Sequence, residues 1–356
     1  MDLEKKAIGK QLEFQQYSIT DDLPIVSILI AAYNEEKVIA QKINSILDSN
    51  YPTDKIEILI GLDACTDATK AILTKDYNLP QLKIIEFKER SGKPTIINTL
   101  VEKYVPSTSS ILILTDADVL FSKDTVFELI KYFKDTSIGL VDANIVSNKI
   151  LNENEKMYWQ YENKIKQHES LVYGIIPGPS GGCYAIRKEL FTSVPANFNV
   201  DDFFIGFNII IKKYKTILNQ QAICYEDITT NWKDEFNRKV RIATGNFQNL
   251  WYFKKYAMNP FSTVGKIFIL HKVIRWKTPF LLLIIYYVLL LKFTLLTLLV
   301  TLFLPIIDVI LFTFGATFKP LRSFHYYIVM NIAVFIGFLK FCKGVKSNVW
   351  QPTTRN

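Results

Sequence analysis

The sequence predicts an α/β protein with a mainly parallel sheet, followed by C-terminal interfacial and transmembrane helices. Short β-branched apolar runs alternate with helical patterns from Ile25 onward, the rhythm of successive βαβ units. The run from Ile111 to Val119 is continuously apolar until two carboxylates interrupt it. Almost no charge interrupts Pro279 to Phe318, about twice the length of ~20 residues that one membrane-spanning helix needs, and Phe324 to Cys342 has about the length of one more.

Each element has its own signal. The strands are IVSILIAAY, IEILIGLD, LKIIEF and ILILTDADV; EEKVIAQKINSILDS and TDATKAILTKD read as helices between them. A helix is expected near Lys123 to Lys134, and another between Leu151 and Gly174 with aromatic residues on one face. Pro177 to Phe191, PGPSGGCYAIRKELF, is a Gly/Pro-rich loop entering a strand and a helix, where backbone is able to approach a ligand closely. Thr263 to Lys277 mixes apolar residues with Lys, Arg, His and Trp as an interfacial helix does. A hairpin and a third apolar helix follow, with Lys292 at or near the turn; a first helix beginning near Ile267 is the alternative. The expected organisation is an N-terminal arm over 1–24, an α/β domain over 25–232, Arg-rich and interfacial helices over 233–277, about three hydrophobic segments over 278–343 and a basic tail over 344–356.

Composition narrows the class. With 356 residues, 49% of them hydrophobic and 21% charged, the chain is neither disordered nor fibrous. Its 42 Lys+Arg against 34 Asp+Glu suit an anionic membrane surface or phosphorylated substrates, and nucleic acid is not an expected partner. Four scattered cysteines with no CxxC pair indicate neither a zinc site nor a disulfide framework and fit a reducing compartment. The polar start MDLEKKAIGKQLEFQQ places the N-terminus in the cytosol. Lys319 and Arg322 favour a cytosolic loop, whereas three crossings would place Lys343, Lys346 and Arg355 outside, so either one segment does not cross or the charge rule is broken.

In such sheets ligands gather at the carboxyl ends of strands, which here carry Tyr33, Glu35, Asp63, Asp116 and Asp118. Asp116 and Asp118 are oxygen donors suited to Mg²⁺ or Mn²⁺, with a diphosphate completing the shell; a helix cap is the bland alternative. Asp63 is placed to accept from a nucleobase N–H, while Thr66 or Asp67 caps the next helix. Arg90 to Lys93 form a cationic loop for phosphate or base contacts, or a solvated turn. Asp201 reads as a helix cap; Asp202 is the sharper candidate, a carboxylate able to take the proton of an acceptor hydroxyl. Arg238, Lys239 and Arg241 share one helical turn before Thr244-Gly245, where surface anchoring explains the charge as well as catalysis does. If that helix faces the crevice, the planar fork of Arg241 suits a leaving diphosphate.

Together the motifs VSILIAAYNEE, LDACTD, RSGKPTIIN, TDAD, GPSGGCYAIRKELF, VDDF and RKVRIATG resemble, in order, the family 2 glycosyltransferases of GT-A fold. The likeness is to their membrane-attached branch, which includes cellulose, hyaluronan and poly-N-acetylglucosamine synthases. It implies a Rossmann-like GT-A sheet and a nucleotide-diphosphate sugar donor, a UDP-sugar by expectation. Tyr33, Glu35, Asp63, Lys93, Asp116 and Arg238 would lie on the donor side, and Asp118 with Asp116 would hold Mg²⁺ or Mn²⁺. Gly181, Gly182 and Asp201 would face the acceptor, with Asp202 as catalytic base and Arg241 as its catalytic partner. Inversion at the anomeric carbon follows from a single in-line displacement. The chain departs from the processive synthases where their Gln-x-x-Arg-Trp becomes Arg238 to Ile242, which removes the acceptor-stacking Trp.

The expectation is therefore a multi-pass enzyme of the inner (plasma) membrane with a cytosolic catalytic domain. It would act non-processively or in few steps on a glycan or lipid-linked acceptor in polysaccharide biosynthesis, beside polysaccharide export partners. Transfer to polyprenyl phosphate is one alternative; a catalytically inactive sugar-nucleotide-binding membrane protein is another.

Overall fold

The run VSILIAA has β-branched or aliphatic residues on both faces, and in the computed structural model it forms the central strand β1 (Val26–Ala32), buried almost throughout. The structure describes residues 2–147, 153–226, 232–313, 319–346 and 348–349; the expected basic tail beyond 349 and the loop at 314–318 lie outside them. The chain divides into two compact units, Met1–Thr230 with Lys346–Asn356, and Asn231–Val345.

In the first unit a short helix α1 (Asp2–Ala7) precedes β1. Helix α2 (Ile39–Leu47), strand β2 (Ile56–Asp63), helix α3 (Thr69–Asp76), strand β3 (Leu82–Phe87), helix α4 (Lys93–Lys103) and strand β4 (Ile111–Thr115) complete the expected βαβ series. Strand β5 (Val119–Phe121), helix α5 (Thr125–Ile130), strand β6 (Ile138–Ser147) and helix α6 (Glu153–Tyr173) follow. Strand β7 (Cys183–Arg187), helix α7 (Asp201–Ile211) and strand β8 (Lys215–Glu226) close the sheet.

Among the described residues the sheet has eight strands in the order β3-β2-β1-β4-β7-β6-β8-β5. The first four run parallel, as the alternation of strands and helices predicts. Strand β7 enters antiparallel to both β4 and β6, and β5 runs antiparallel to β8, so the second half is mixed. Helix α2 turns Ile39, Ile43 and Ile46 into the core at helical spacing, and Lys42 lies buried on that same face. Helix α4 lies so close to β2 that a Cβ on Gly61 would strike Ile96, and this close approach sets where Lys93, the first residue of α4, emerges.

The second unit is helical: α8 (Trp232–Tyr252), α9 (Lys254–Ala257), α10 (Thr263–Ile267), a π-helical stretch Phe268–Val273, α11 (Ile274–Lys292), α12 (Thr294–Thr313) and α13 (Lys319–Cys342). The interfacial helix and the first apolar segment form one helix of 30 residues, Thr263–Lys292, so the earlier of the two expected starts is the one adopted. The hairpin break falls at Phe293, immediately after Lys292.

By length and composition two helices among the described residues, Thr263–Lys292 and Pro320–Cys342, are long and apolar enough to cross a membrane; Thr294–Leu304 is a shorter apolar helix. Leu283, Ile284, Leu291, Leu295 and Leu302 all lie exposed. Helices α8 and α13 pack closely. Thr244 Oγ1 donates to the Gly337 carbonyl at 3.2 Å, and a Cβ on Gly337 would sit 2.5 Å from that of Ala243. The small pair Thr244-Gly245 is therefore buried at a helix crossing, and the rings of Phe247, Phe280 and Phe338 pack against one another in the same helical unit.

Candidate active site

At the carboxyl end of β1, Asn34 adopts a left-handed φ of 54° and exchanges hydrogen bonds with Thr66, tying the turns after β1 and β2 together. The Glu35 backbone N–H donates to Thr69 Oγ1 at 2.8 Å, and Asp67 accepts from the Thr69 N–H at the start of α3; the cap position itself falls on Ala68, not on Thr66 or Asp67 as expected, because α3 begins one residue later at Thr69. Glu35 is thus held at the rim of the sheet by its backbone.

Asp63 ends β2 with its carboxylate buried. Its Oδ1 accepts from Ser91 N–H at 2.6 Å, and its Oδ2 accepts from Arg90 Nε at 3.1 Å and from Gly92 N–H at 3.2 Å. Of the roughly four acceptor positions of a carboxylate, three are taken by the Arg90–Gly92 loop, leaving one on Oδ1. The Arg90 guanidinium in turn lies 3.2 Å from the ring centroid of Tyr33. Asp63 therefore builds the cationic loop, and Tyr33, Arg90 and Asp63 form one stacked, hydrogen-bonded group. Residue 348, in the short segment that returns to this unit, closes the other side of the loop: a Cβ on Gly92 would meet the Asn348 carbonyl at 3.1 Å.

From α4, Lys93 Nζ reaches Asp116 Oδ1 at 2.6 Å and stands 3.8 Å from Asp201 Oδ2. Burial pulls the Lys93 ammonium toward neutrality, but the Asp116 and Asp201 carboxylates outweigh it and hold the group charged, above the usual lysine range. Asp116 and Asp118 flank Ala117 on the turn between β4 and β5, and the Asp116 N–H donates to the Gly182 carbonyl at 3.0 Å. Beneath that turn lies Lys42, whose Nζ donates to Thr115 Oγ1 at 2.9 Å and to the Val119 carbonyl, and sits 3.8 Å from the Phe121 ring centroid. Burial lowers its pKa to about 8.

The donor set of Asp116 and Asp118 fits a hard divalent cation. Among the described residues no group of three or more His, Cys, Asp or Glu side chains stands ready to hold a metal alone. A cation on this pair would take its remaining ligands from phosphate and water, the usual habit of Mg²⁺.

Asp201 and Asp202 open α7, with Val200 at the cap position. Among the described residues the buried Asp201 Oδ2 accepts no hydrogen bond, and the buried Tyr184 hydroxyl on β7 has no hydrogen-bond partner. Asp202 faces Gly181: at φ +89° this residue lies so near that an added Cβ would be 2.7 Å from Asp202 Oδ2. Burial, reinforced by the Asp201 charge, pushes the Asp202 carboxyl up to about 6, against the opposing pull of Lys93 and Lys166. Gly182 is buried against Val119.

The first unit thus brings Lys93, Asp116 and Asp201 into one ionic cluster with Asp202 beside it, Gly181 against Asp202, and Tyr33 with Asp63 on the Arg90 loop. Arg238 and Arg241 lie half-buried three residues apart on α8 of the second unit, hence on one face of that helix. The motifs did not point to Lys42, Asp142, Lys166 or Tyr184. A lone acid within the apolar strand IGLVDANIVS was the available signal for Asp142, and a lysine in phase with Ile39, Ile43 and Ile46 was that for Lys42.

This mixed sheet is a GT-A fold. A mannosyltransferase from Pyrobaculum calidifontis, solved with GDP-Man and Mn²⁺, superposes with a TM-score of 0.71 over 95% of this chain and 92% of its own, at 20% identity. Residues 27–194 match the family described as "Glycosyl transferase family 2", and residues 111–339, more than half the chain, match "Glycosyl transferase family group 2". The chain belongs to the family 2 glycosyltransferases. Curated relatives include the poly-beta-1,6-N-acetyl-D-glucosamine synthases of Staphylococcus aureus, 23% identical over 65% of this chain, and of Staphylococcus epidermidis, 25% identical over 63%. The chain spans little more than half the length of those relatives, 56% and 55%.

Proposed function

We propose that this glycosyltransferase is membrane-bound and moves a sugar, with inversion, from a nucleotide-diphosphate donor to a hydroxyl of a glycan or lipid-linked acceptor in polysaccharide biosynthesis. The observation that carries the reading is the placement of Asp202. It is a desolvated carboxylate with a raised pKa, held against a glycine loop and beside the cluster that joins Lys93 to Asp116.

Tyr33, Arg90 and Asp63 would receive the base of the donor, the free position on Asp63 Oδ1 accepting a base N–H, while Glu35 stays at the rim of this pocket. Lys93 would hold the donor phosphates. Asp116 and Asp118 would hold Mg²⁺ or Mn²⁺, which supplies charge neutralisation of the departing nucleotide diphosphate. Asp202 takes the acceptor proton as the hydroxyl oxygen attacks the anomeric carbon. The buried Tyr184 hydroxyl, which has no hydrogen-bond partner among the described residues, and Asp201 Oδ2, which faces Lys93 at 3.8 Å but accepts no hydrogen bond from them, are available to a substrate hydroxyl on that side. Arg241, with Arg238, is assigned to the leaving diphosphate on its motif. The apolar helices Thr263–Lys292 and Pro320–Cys342 support attachment to a bilayer; the catalytic unit is assigned to its cytosolic side on the polar N-terminal stretch.

The test is acceptor-dependent release of nucleotide diphosphate by the full chain in detergent, offered a panel of UDP- and GDP-sugars with native lipid extract. The reading expects one donor to turn over and Asp202→Asn to abolish that turnover. Donor binding without any turnover in the unmodified protein would instead favour a binding protein.

A further inference from the structure

The Pro177–Gly182 loop is not held by its own turns alone. Lys166, buried in the middle of α6, donates from Nζ to Asp142 Oδ2 at 3.0 Å and to Ser180 Oγ at 2.9 Å. Ser180 completes the set: its N–H donates to Asp142 Oδ1 at 3.0 Å, and its hydroxyl to Asp142 Oδ2 at 3.0 Å. The side chains of Lys166 and Asp142 are 2% and 0% exposed, so this is an ion pair sealed from water. Burial alone would neutralise the Lys166 ammonium, but Asp142 and Glu162 outweigh it and keep it protonated. Desolvating such a pair is costly, and a hydrophobic pair of similar volume commonly stabilises a fold as well or better. What the ionic version adds is direction: three hydrogen bonds, to Asp142 and Lys166, fix Ser180, and the residue after it is Gly181, pressed against Asp202.

We propose that Lys166 is a positioning residue for the transfer reaction, acting through Asp142 and Ser180 to hold Gly181 against Asp202 so that the carboxylate keeps one orientation toward the acceptor. The proposal rests on Asp202 being the base. Among the described residues the charged and titratable groups that bear on Asp202 are Asp201 on its own helix, Lys93 from α4, Lys166 from α6 and Tyr184 from β7. Lys166 is thus, with Lys93, one of the cations among the described residues that favour the ionised base, and it stands on the loop side, where Lys93 stands beside Asp116. Its removal takes away a favourable charge and frees the negative Asp142, so Asp202 would ionise at higher pH.

The experiment compares unmodified protein, Ser180→Ala, Lys166→Met and Asp202→Asn as full chains in detergent. The readouts are kcat and KM against pH with the sugar nucleotide that turns over, UDP or GDP binding with Mn²⁺, and folding by circular dichroism. Lys166→Met is expected to lower kcat about tenfold or more with nucleotide binding unchanged, because the oriented base is lost and the donor pocket is not. Its acid limb should move up by about half a pH unit or more. Ser180→Ala keeps the charge pair and should lower kcat with the acid limb in place. If Lys166→Met does not fold, Lys166→Met/Asp142→Leu replaces the pair by apolar side chains, and its kcat is expected to fall likewise. A folded Lys166→Met with unaltered kcat and acid limb, or the double variant at full kcat, overturns the positioning role while an inactive Asp202→Asn leaves the base assignment standing. Turnover surviving in Asp202→Asn overturns both.

Discussion

Gly181 and Asp202 lie in direct apposition, with room for a hydrogen but not a methyl group: a Cβ at 181 would stand 2.7 Å from Asp202 Oδ2, and the glycine backbone is at φ +89°. Gly181→Ala is therefore strained twice, by its conformation and by the carboxylate. It should lower kcat by about 100-fold through displacement of the base, with the donor KM within about twofold. Steady-state kinetics with both substrates varied checks this, and a rise in donor KM without loss of kcat would contradict it.

Asp202 carries a pH dependence with a definite sign. As a base it must be ionised, so kcat/KM should rise as pH increases through about 6.

The same shift has the opposite effect on stability. Because the folded carboxyl is held above its unfolded value, its stabilising contribution is full below the unfolded carboxylate pKa and is lost as pH rises through about 6. Near neutral pH the folded chain carries a desolvated charge, so Asp202→Asn should raise stability by about 1–2 kcal/mol while abolishing turnover. Thermal melts at neutral and acidic pH check it: the gain should shrink on acidification, and a destabilised variant would refute the burial account.

Arg90 makes a stack and a hydrogen bond that a lysine cannot reproduce. Arg90→Lys keeps the charge but loses the planar contact with Tyr33 and the directed bond to Asp63, and nucleotide binding should weaken by about tenfold. The Ser91 and Gly92 N–H groups still hold Asp63, so the fold should persist. Calorimetric titration with UDP and GDP tests the change.

Asp118→Ala should remove the Mn²⁺ dependence of nucleotide binding, since the remaining Asp116 is already engaged by Lys93. Binding isotherms with and without Mn²⁺ decide it; an unchanged metal effect would place the cation elsewhere.

Much of this architecture is legible in the sequence because its signals are local. The parallel βαβ series follows from apolar runs such as IEILIGLD ending in Asp63, and the long apolar helices follow from composition. The direction of β7 was not legible: Cys183 pairs with Thr115 and Tyr184 with Leu114, across a long separation in sequence that no local pattern reports. Nor was the work of Asp63, since a strand-end acid looks the same whether it meets a base or ties down a loop. Lys166 was hidden for a different reason. It lies among Glu162, Asn163, Lys164 and Glu169, a run that reads as a solvated helix face until α6 is laid across the sheet.

The Asp116 N–H bonded to the Gly182 carbonyl extends the β4–β7 ladder by one backbone rung and joins the carboxylate turn to the glycine loop. Strands β4 and β7 reach that rung from opposite directions, so one residue inserted or deleted in either would slide the carboxylate turn past the glycine loop and turn every following side chain to the other face. Chimeras built to exchange acceptor preference should accordingly cut outside this clasp, before Pro177 or after Arg187, where length can vary without moving the rung.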